Sequence, residues 1–181
     1  MNRLMRRVIR LGVMTVGLAG LLVSVNAVPG AATPPSPPPI FKSELLGRGT
    51  YMSHETLPLR KGLDIVVSRI TVQPGGTSGW HSHPGGAIVV VQQGEITIYA
   101  PADKGGDEQG QNQSDQVGGG PFPHCVITKY KAGQSFVESP GAVVDAVNTG
   151  TIDFILLVTF PGVPVGGASR IDQPSPGTCP V

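Results

Sequence analysis

The strongest constraint on the fold is a series of short runs rich in Val, Ile and Thr, each bounded by glycine or proline or close to one. Such runs are typical of β-strands, and no convincing amphipathic helical pattern interrupts them. They lie at 65–72, 87–91, 96–100, 126–130, 135–137, 143–148 and 152–160. Short strands at this spacing predict an all-β sandwich or barrel. Residues 103–120, rich in Gly, Gln and Asp, predict a long solvated loop.

The N-terminus has the pattern of an export signal. Four arginines within the first ten residues precede an uncharged apolar run at 11–25, which is shorter than the roughly 20 residues of a membrane span. Val25-Asn26-Ala27 fits a cleavage site. We therefore expect residues 1–27 to be a cleaved signal peptide and the protein to be secreted or on the cell-envelope exterior, with no stable membrane span. An uncleaved N-terminal anchor is the alternative.

The rest of the chain divides by composition into three parts. Crowded prolines at 28–41 predict an extended or disordered linker. Residues 42–165 are expected to form a single β-barrel domain, and residues 166–181 an irregular tail. Without the four signal arginines, nine basic residues face twelve acidic ones, so the net charge changes from +1 to −3. A mildly acidic domain without a basic cluster argues against nucleic acid or anionic lipid as a partner.

The chain has two cysteines, Cys125 and Cys179. In an oxidising compartment an even pair is more often bridged than free, so we expect a disulfide that ties the tail back to the domain. By chain entropy, such a bridge would stabilise the fold by about 4 kcal/mol. Two free thiols, or Cys125 as a metal ligand, are the alternatives.

Two histidines stand two residues apart, as His81-Ser82-His83. Side chains alternate faces along an extended segment, so both imidazoles should point the same way and form half of a metal site. Surface or loop histidines explain such a pair about as often as ligands do.

Two spaced patterns around these histidines resemble the two characteristic motifs of the cupin superfamily, over about residues 63–160. The first consists of Gly75, five intervening residues, His81, His83 and then Gly94 in the turn after the next strand. The second consists of Gly133, Pro140-Gly141 and Asn148-Thr149-Gly150, with its proline one place late. The resemblance implies a jelly-roll β-barrel with a central pocket.

The resemblance also implies a divalent metal, such as Fe, Mn, Zn or Ni, held by two histidines and a glutamate of the first motif and a histidine of the second. His81 and His83 match this pattern, but Ala87 stands at the glutamate position and Val144 at the second-motif histidine position. Two imidazoles alone complete neither a zinc site nor an iron site. We therefore expect weak or no metal binding, unless a third ligand comes from Asp145, His54, His124 or Glu138.

The pocket expected from this pattern is mostly apolar. Ala87 and Val144 would complete its wall, Trp80 would be core or pocket wall, and the histidines would bond each other, water or a tyrosine such as Tyr99. In that interpretation the imidazoles are the polar groups of a small-molecule pocket.

Three functions fit the sequence, and whether the protein is an enzyme stays open. The favoured one is an exported cupin-domain protein whose pocket at His81 and His83 binds a small molecule with weak or no metal. The alternative is a metal-dependent oxygenase or isomerase with an unidentified third ligand. The third is a structural or interaction module of the envelope. A homodimer through strand edges would agree with any of them.

Overall fold

A computed structural model of the protein describes residues 30–52, 59, 61–102 and 124–181. The predicted signal peptide, the whole predicted loop at 103–120 and His54 lie outside these residues. Within the described ranges there is no helix, which confirms the all-β prediction. The strands are β1 Phe41–Thr50, β2 Asp64–Val72, β3 His81–Ser82, β4 Ala87–Gln93, β5 Glu95–Pro101, β6 Cys125–Lys131, β7 Ser135–Glu138, β8 Asp145–Val147, β9 Phe154–Val163 and β10 Ile171–Asp172.

The strands form a five-stranded sheet, a three-stranded sheet and a short two-stranded ribbon. The five-stranded sheet has the order β1-β2-β9-β4-β7, the three-stranded sheet the order β6-β5-β8, and the ribbon pairs β10 with β3. All named pairs are antiparallel. The core therefore depends on which face each strand turns inward, because side chains alternate along a strand.

Strand β9 shows how the sequence sets the core. Its residues alternate between buried and partly exposed, so Phe154, Leu156, Val158 and Phe160 all face inward. Strand β4 lies next to β9 in the sheet and shows the same alternation, with inward-facing Ala87, Val89 and Val91. Each fully buried side chain of the larger kind contributes about 1.5–3 kcal/mol to folding.

All seven apolar runs correspond to strands, β2 and β4 to β9, with ends that shift by a few residues. Strand β1 was not predicted, because it is mostly exposed and has no apolar alternation. Its pairing with β2 supplies the backbone hydrogen bonds that hold it. Strands β3 and β10 have two residues each and pair with one another.

The described part of the Pro-rich segment lies against the barrel and does not stand away from it as a spacer. Thr33 donates its backbone N–H to the carbonyl of Gln173 at 3.0 Å and accepts the backbone N–H of Trp80 on its hydroxyl at 2.8 Å. Ser36 exchanges similar bonds with Thr77. Prolines have no N–H to donate, so these two polar residues provide the contacts that hold the segment.

A disulfide joins Cys125, at the start of β6, to Cys179 in the tail, which confirms the predicted pairing. The tail also pairs with the barrel through β10, and the backbone N–H of Gln173 donates to the carbonyl of Trp80 at 2.9 Å. Residues between Val163 and Cys179 are therefore held on the barrel from both ends.

Replacing both cysteines with serine should lower the free energy of unfolding by about 4 kcal/mol, because the bridge closes a long loop in the unfolded chain. Chemical denaturation followed by circular dichroism measures this loss. Wild-type protein unfolded in the presence of a reducing agent is the matched control and should give the same value. An unchanged free energy of unfolding in both samples would contradict the stabilising role of the bridge.

Candidate metal centre

Three buried side chains meet at one end of the barrel interior. His81 and His83 come from β3 and the residue after it, and Glu138 is the last residue of β7. Their side chains are buried, and one potential ligand atom from each lies within 4.8 Å of the others. We call these three residues the His-His-Glu cluster. The prediction that both imidazoles point the same way is correct, since their ring centroids are 4.8 Å apart in an edge-to-face arrangement.

Each imidazole is oriented through its Nδ1 atom by a backbone carbonyl. Nδ1 of His81 lies 2.8 Å from the carbonyl oxygen of Gly79, and Nδ1 of His83 lies 2.6 Å from that of Ser169. A carbonyl oxygen only accepts, so each Nδ1 carries the proton, and in the neutral ring the lone pair lies on Nε2. Metal-binding histidines in proteins are commonly held in this way.

The Nε2 atom of His83 lies 3.2 Å from Oε2 of Glu138. With the Nδ1 proton committed to Ser169, a neutral His83 would direct a lone pair at a carboxylate. Two acceptors at this distance repel each other unless a positive charge lies between them. Either a proton or a metal ion must therefore stabilise this contact.

Glu138 reaches the site because of the register between two strands. It lies directly opposite Ala87 in the pairing of β4 with β7, and Val89 lies opposite Phe136. Directly opposed residues in an antiparallel pair share one face of the sheet. Glu138 therefore shares a face with Ala87, the position at which the cupin motif has its glutamate. Spacing along the sequence did not indicate this, since the signal lies in strand pairing.

The ring of His81 is neutral over the physiological pH range. Burial, with a smaller contribution from the positive charge of Arg170, lowers the pKa of His81 from 6.5 to about 4. A neutral imidazole keeps its Nε2 lone pair free for a ligand. Phe160 packs against the other ring, with its centroid 4.6 Å from that of His83.

Asp145 does not belong to the His-His-Glu cluster. It is buried and accepts hydrogen bonds from the hydroxyls of Thr77 at 2.5 Å and Ser78 at 3.1 Å. Burial raises the pKa of its carboxyl group, against the effect of those bonds. Its neighbour Ala146 lines the cavity, so alternation along β8 turns Asp145 away. The Oγ atom of Ser78, which donates to Asp145, lies 3.3 Å from Nδ1 of His81.

Four predicted pocket residues do not line the cavity. Trp80 and Tyr99 pack in a second apolar cluster with the disulfide, because Trp80 precedes His81 in an extended segment and so faces the opposite side. Ala87 and Val144 are buried in the main core, and the backbone of Val144 pairs with that of His81. The pocket assignments of Ala87, Val144 and Tyr99 need this correction, whereas Trp80 is a core residue, which was one of its two predicted positions. His124, another ligand candidate, is exposed in a turn.

The barrel encloses a cavity of about 90 Å³ that is partly open to solvent. Most of its wall is apolar and includes side chains from β7 and β9, namely Phe136, Phe154, Leu156, Val158 and Phe160. The His-His-Glu cluster, Ser169 and Arg170 supply polar groups to the same cavity. An apolar pocket with a few convergent polar groups is typical of small-molecule sites.

Comparisons with known proteins agree with this architecture. The cupin family model matches residues 31–162, so the chain belongs to the cupin family. This membership, with the all-β architecture, confirms the predicted jelly-roll barrel. No curated protein matches the chain.

The solved structures to which the chain is similar include three of low sequence identity. An oxalate oxidase structure is 23% identical, with a TM-score of 0.40, over 54% of this chain and 42% of that one. A second structure is an uncharacterized conserved protein with a double-stranded β-helix domain from Klebsiella pneumoniae subsp. pneumoniae MGH 78578. It is 20% identical, with a TM-score of 0.46, and the match covers 76% of this chain and 88% of that one. Oxalate oxidase in complex with the substrate analogue glycolate is 19% identical, with a TM-score of 0.47, over 75% and 56%. The chain thus spans less than two thirds of either oxalate oxidase chain.

In the metal-free protein, the free energy of unfolding should fall as the pH is lowered from about 6.5 to about 4. Within this window the unfolded chain protonates His81 while the folded one does not, so acid favours unfolding by about 3 kcal/mol in total. Urea denaturation at a series of pH values measures the slope. In a His81→Gln variant this part of the slope should disappear, whereas His124→Gln, in an exposed turn, should keep it. Equal slopes in wild type and His81→Gln would contradict the assignment.

Proposed function

We propose that this chain is an exported cupin whose barrel holds one divalent metal ion through His81, His83 and Glu138 and binds a small molecule in the adjoining cavity. The observation that carries this proposal is the contact between Nε2 of His83 and the Glu138 carboxylate, with Nδ1 already donating to a carbonyl. It favours a metal over the metal-free site expected from the motif alone, because the third ligand comes from a neighbouring strand.

The donor set fits a divalent ion. Two imidazole nitrogens and one carboxylate match the ligands of mononuclear iron oxygenases and also suit Zn or Mn. Ligands about 2.0–2.2 Å from one ion, at right angles or tetrahedral angles, are about 3.0–3.5 Å apart, which agrees with the 3.2 Å between His83 and Glu138. The widest pair of ligand atoms is at most 4.8 Å apart, so the side chains would have to close by up to roughly 1.3 Å to reach tetrahedral spacing around one ion.

When bound, such an ion would polarise an oxygen of the bound molecule or supply redox chemistry. The chain's own residues contribute orientation and exclusion of water. The carbonyls of Gly79 and Ser169 fix the two rings, and Phe160 packs against His83. The apolar wall made by β9 lowers the dielectric around the cluster, which strengthens its interaction with a cation.

The second candidate is a small-molecule-binding protein without a metal, the function favoured by the sequence alone. The mostly apolar wall of the cavity favours it, and a proton in place of the metal ion would then stabilise the 3.2 Å contact between His83 and Glu138. The two candidates differ in what neutralises Glu138, a proton or a metal ion, so metal content distinguishes them. Oxygenase or isomerase chemistry belongs to the first candidate alone.

Export is part of the proposal. The disulfide between Cys125 and Cys179 supports it, because such bridges persist in oxidising compartments. The signal pattern in residues 1–27 supports it from the sequence. Among the residues that the structure describes, no helix is long and apolar enough to cross a membrane.

Protein purified without a histidine tag and dialysed against Mn²⁺ or Zn²⁺ should retain about one equivalent of metal, because the cluster offers one set of three ligands. Elemental analysis measures the metal content. Glu138→Gln and a His81→Ala, His83→Ala double variant should weaken metal affinity about a hundredfold or more, since second-shell changes alone cost 10–100-fold. Asp145→Asn, a buried carboxylate outside the cluster, is the matched control and should retain metal. Wild-type protein that retains no more metal than Glu138→Gln would exclude the metal site.

The carboxylate should also be transferable across the strand pair. A Glu138→Gln, Ala87→Glu double variant should bind metal more tightly than Glu138→Gln alone, by about tenfold or more, because position 87 shares a face with position 138. Isothermal titration calorimetry with Mn²⁺ compares the two variants. Val137→Glu in the Glu138→Gln background places the carboxylate one residue away, where it faces solvent, and should give no rescue. Equal rescue from positions 87 and 137 would show that the register argument is wrong.

A further inference from the structure

Arg170 contributes a guanidinium group to the cavity from the C-terminal tail, immediately before β10. Its Nε atom donates to the Asp172 carboxylate at 2.6 Å. Its Nη2 atom is buried and has no hydrogen-bond partner among the residues that the structure describes. An unsatisfied donor of a charged group is costly to bury, because it loses its hydrogen bond to water and gains no other. Such a group at a cavity wall indicates that its partner is a ligand.

The charges around Arg170 favour an anion as that ligand. Its guanidinium group lines the same cavity as His81 and Glu138. Asp172 already pairs with Nε and is partly exposed, so it does not satisfy Nη2. Glu138 is engaged with His83. A divalent ion in the cluster would make this end of the cavity positive, and a bound anion would neutralise it.

The rest of the cavity limits the size and polarity of the anion. Beyond the polar end, the wall is formed by apolar side chains such as Phe154, Leu156 and Phe160. The enclosed volume of about 90 Å³ is smaller than the ~150 Å³ cavity that holds benzene in an engineered protein. The apolar part of a ligand that fits this wall therefore has fewer than about six heavy atoms, and its charged end lies at the polar groups.

We propose that Arg170 binds the carboxylate of a short-chain carboxylic acid, through a charge-assisted hydrogen bond from Nη2, with the alkyl chain against the apolar wall. This deepens the proposed function and rests on it in one respect, that a metal ion in the cluster is the second positive group facing the carboxylate. The guanidinium contact itself needs no metal. Arg170 thereby determines specificity for anions over neutral molecules of the same shape.

Calorimetric titration with butyrate and with its neutral analogue butyramide tests this. Both are titrated into wild-type protein at constant ionic strength, first metal-free and then after loading with Mn²⁺ or Zn²⁺. Butyrate should bind at least about tenfold more tightly than butyramide in the metal-free protein, since a hydrogen bond to a charged group is worth that factor or more. Equal affinities would overturn the proposal, and this comparison needs no variant to fold.

Three variants locate the effect. Arg170→Gln should weaken butyrate binding about tenfold or more and leave butyramide unchanged. Arg69→Gln is the matched control, because Arg69 is an exposed arginine on β2 that does not line the cavity, and it should bind as wild type does. Asp172→Asn frees Nε and should bind butyrate at least as tightly as wild type. Butyrate affinity that is unchanged in Arg170→Gln would overturn the proposal.

The metal and the anion can fail separately in this design. Selective butyrate binding that depends on Arg170 in a protein that retains no metal would support the role of Arg170 and reject the metal site. Retention of one equivalent of metal without selective butyrate binding would support the metal site and overturn the role of Arg170.

Discussion

Strand β7 pairs with β4 so that Glu138 lies opposite Ala87, and the chemistry of the barrel depends on this register. A shift by one residue would turn Glu138 to the outer face and bring Val137 in, because the side-chain period of a strand is two. The turn between β3 and β4 helps to fix the arrangement. A Cβ at Gly86 would collide with the carbonyl oxygen of Glu138, and its φ of +82° lies in the region that favours glycine.

The C-terminal tail completes the same site from a distant part of the chain. Ser169 and Arg170 follow β9. The backbone carbonyl of Ser169 contacts His83, and the side chain of Arg170 lines the cavity. The pairing of β10 with β3 and the disulfide at Cys179 hold this segment against the barrel. The tail is therefore part of the binding site, because without it His83 would lack the carbonyl that fixes its Nδ1 proton.

The sequence predicted the features that depend on local pattern. Apolar runs bounded by glycine and proline identified seven strands, and the cupin motif spacing identified His81 and His83 as candidate metal ligands. It named Glu138 only as one of four candidate third ligands, because Glu138 is related to Ala87 by strand pairing and not by a fixed sequence interval. Trp80 could have been excluded from the pocket by the same alternation that placed the histidines together. The roles of Thr33 and Arg170 depend on tertiary contacts that no local pattern encodes.

The His-His-Glu cluster is unfavourable to bury unless a proton or a metal ion lies between the imidazole nitrogen and the carboxylate. Its carboxylate faces an imidazole nitrogen in a cavity with mostly apolar walls, and such walls penalise an unpaired charge. The same low dielectric strengthens the attraction of the cluster for a positive ion. Once a divalent ion is bound, the excess charge reverses, and the unsatisfied guanidinium of Arg170 adds to it. The low dielectric of the apolar cavity would thus favour a cation in the cluster and, once that cation is bound, an anion beside it.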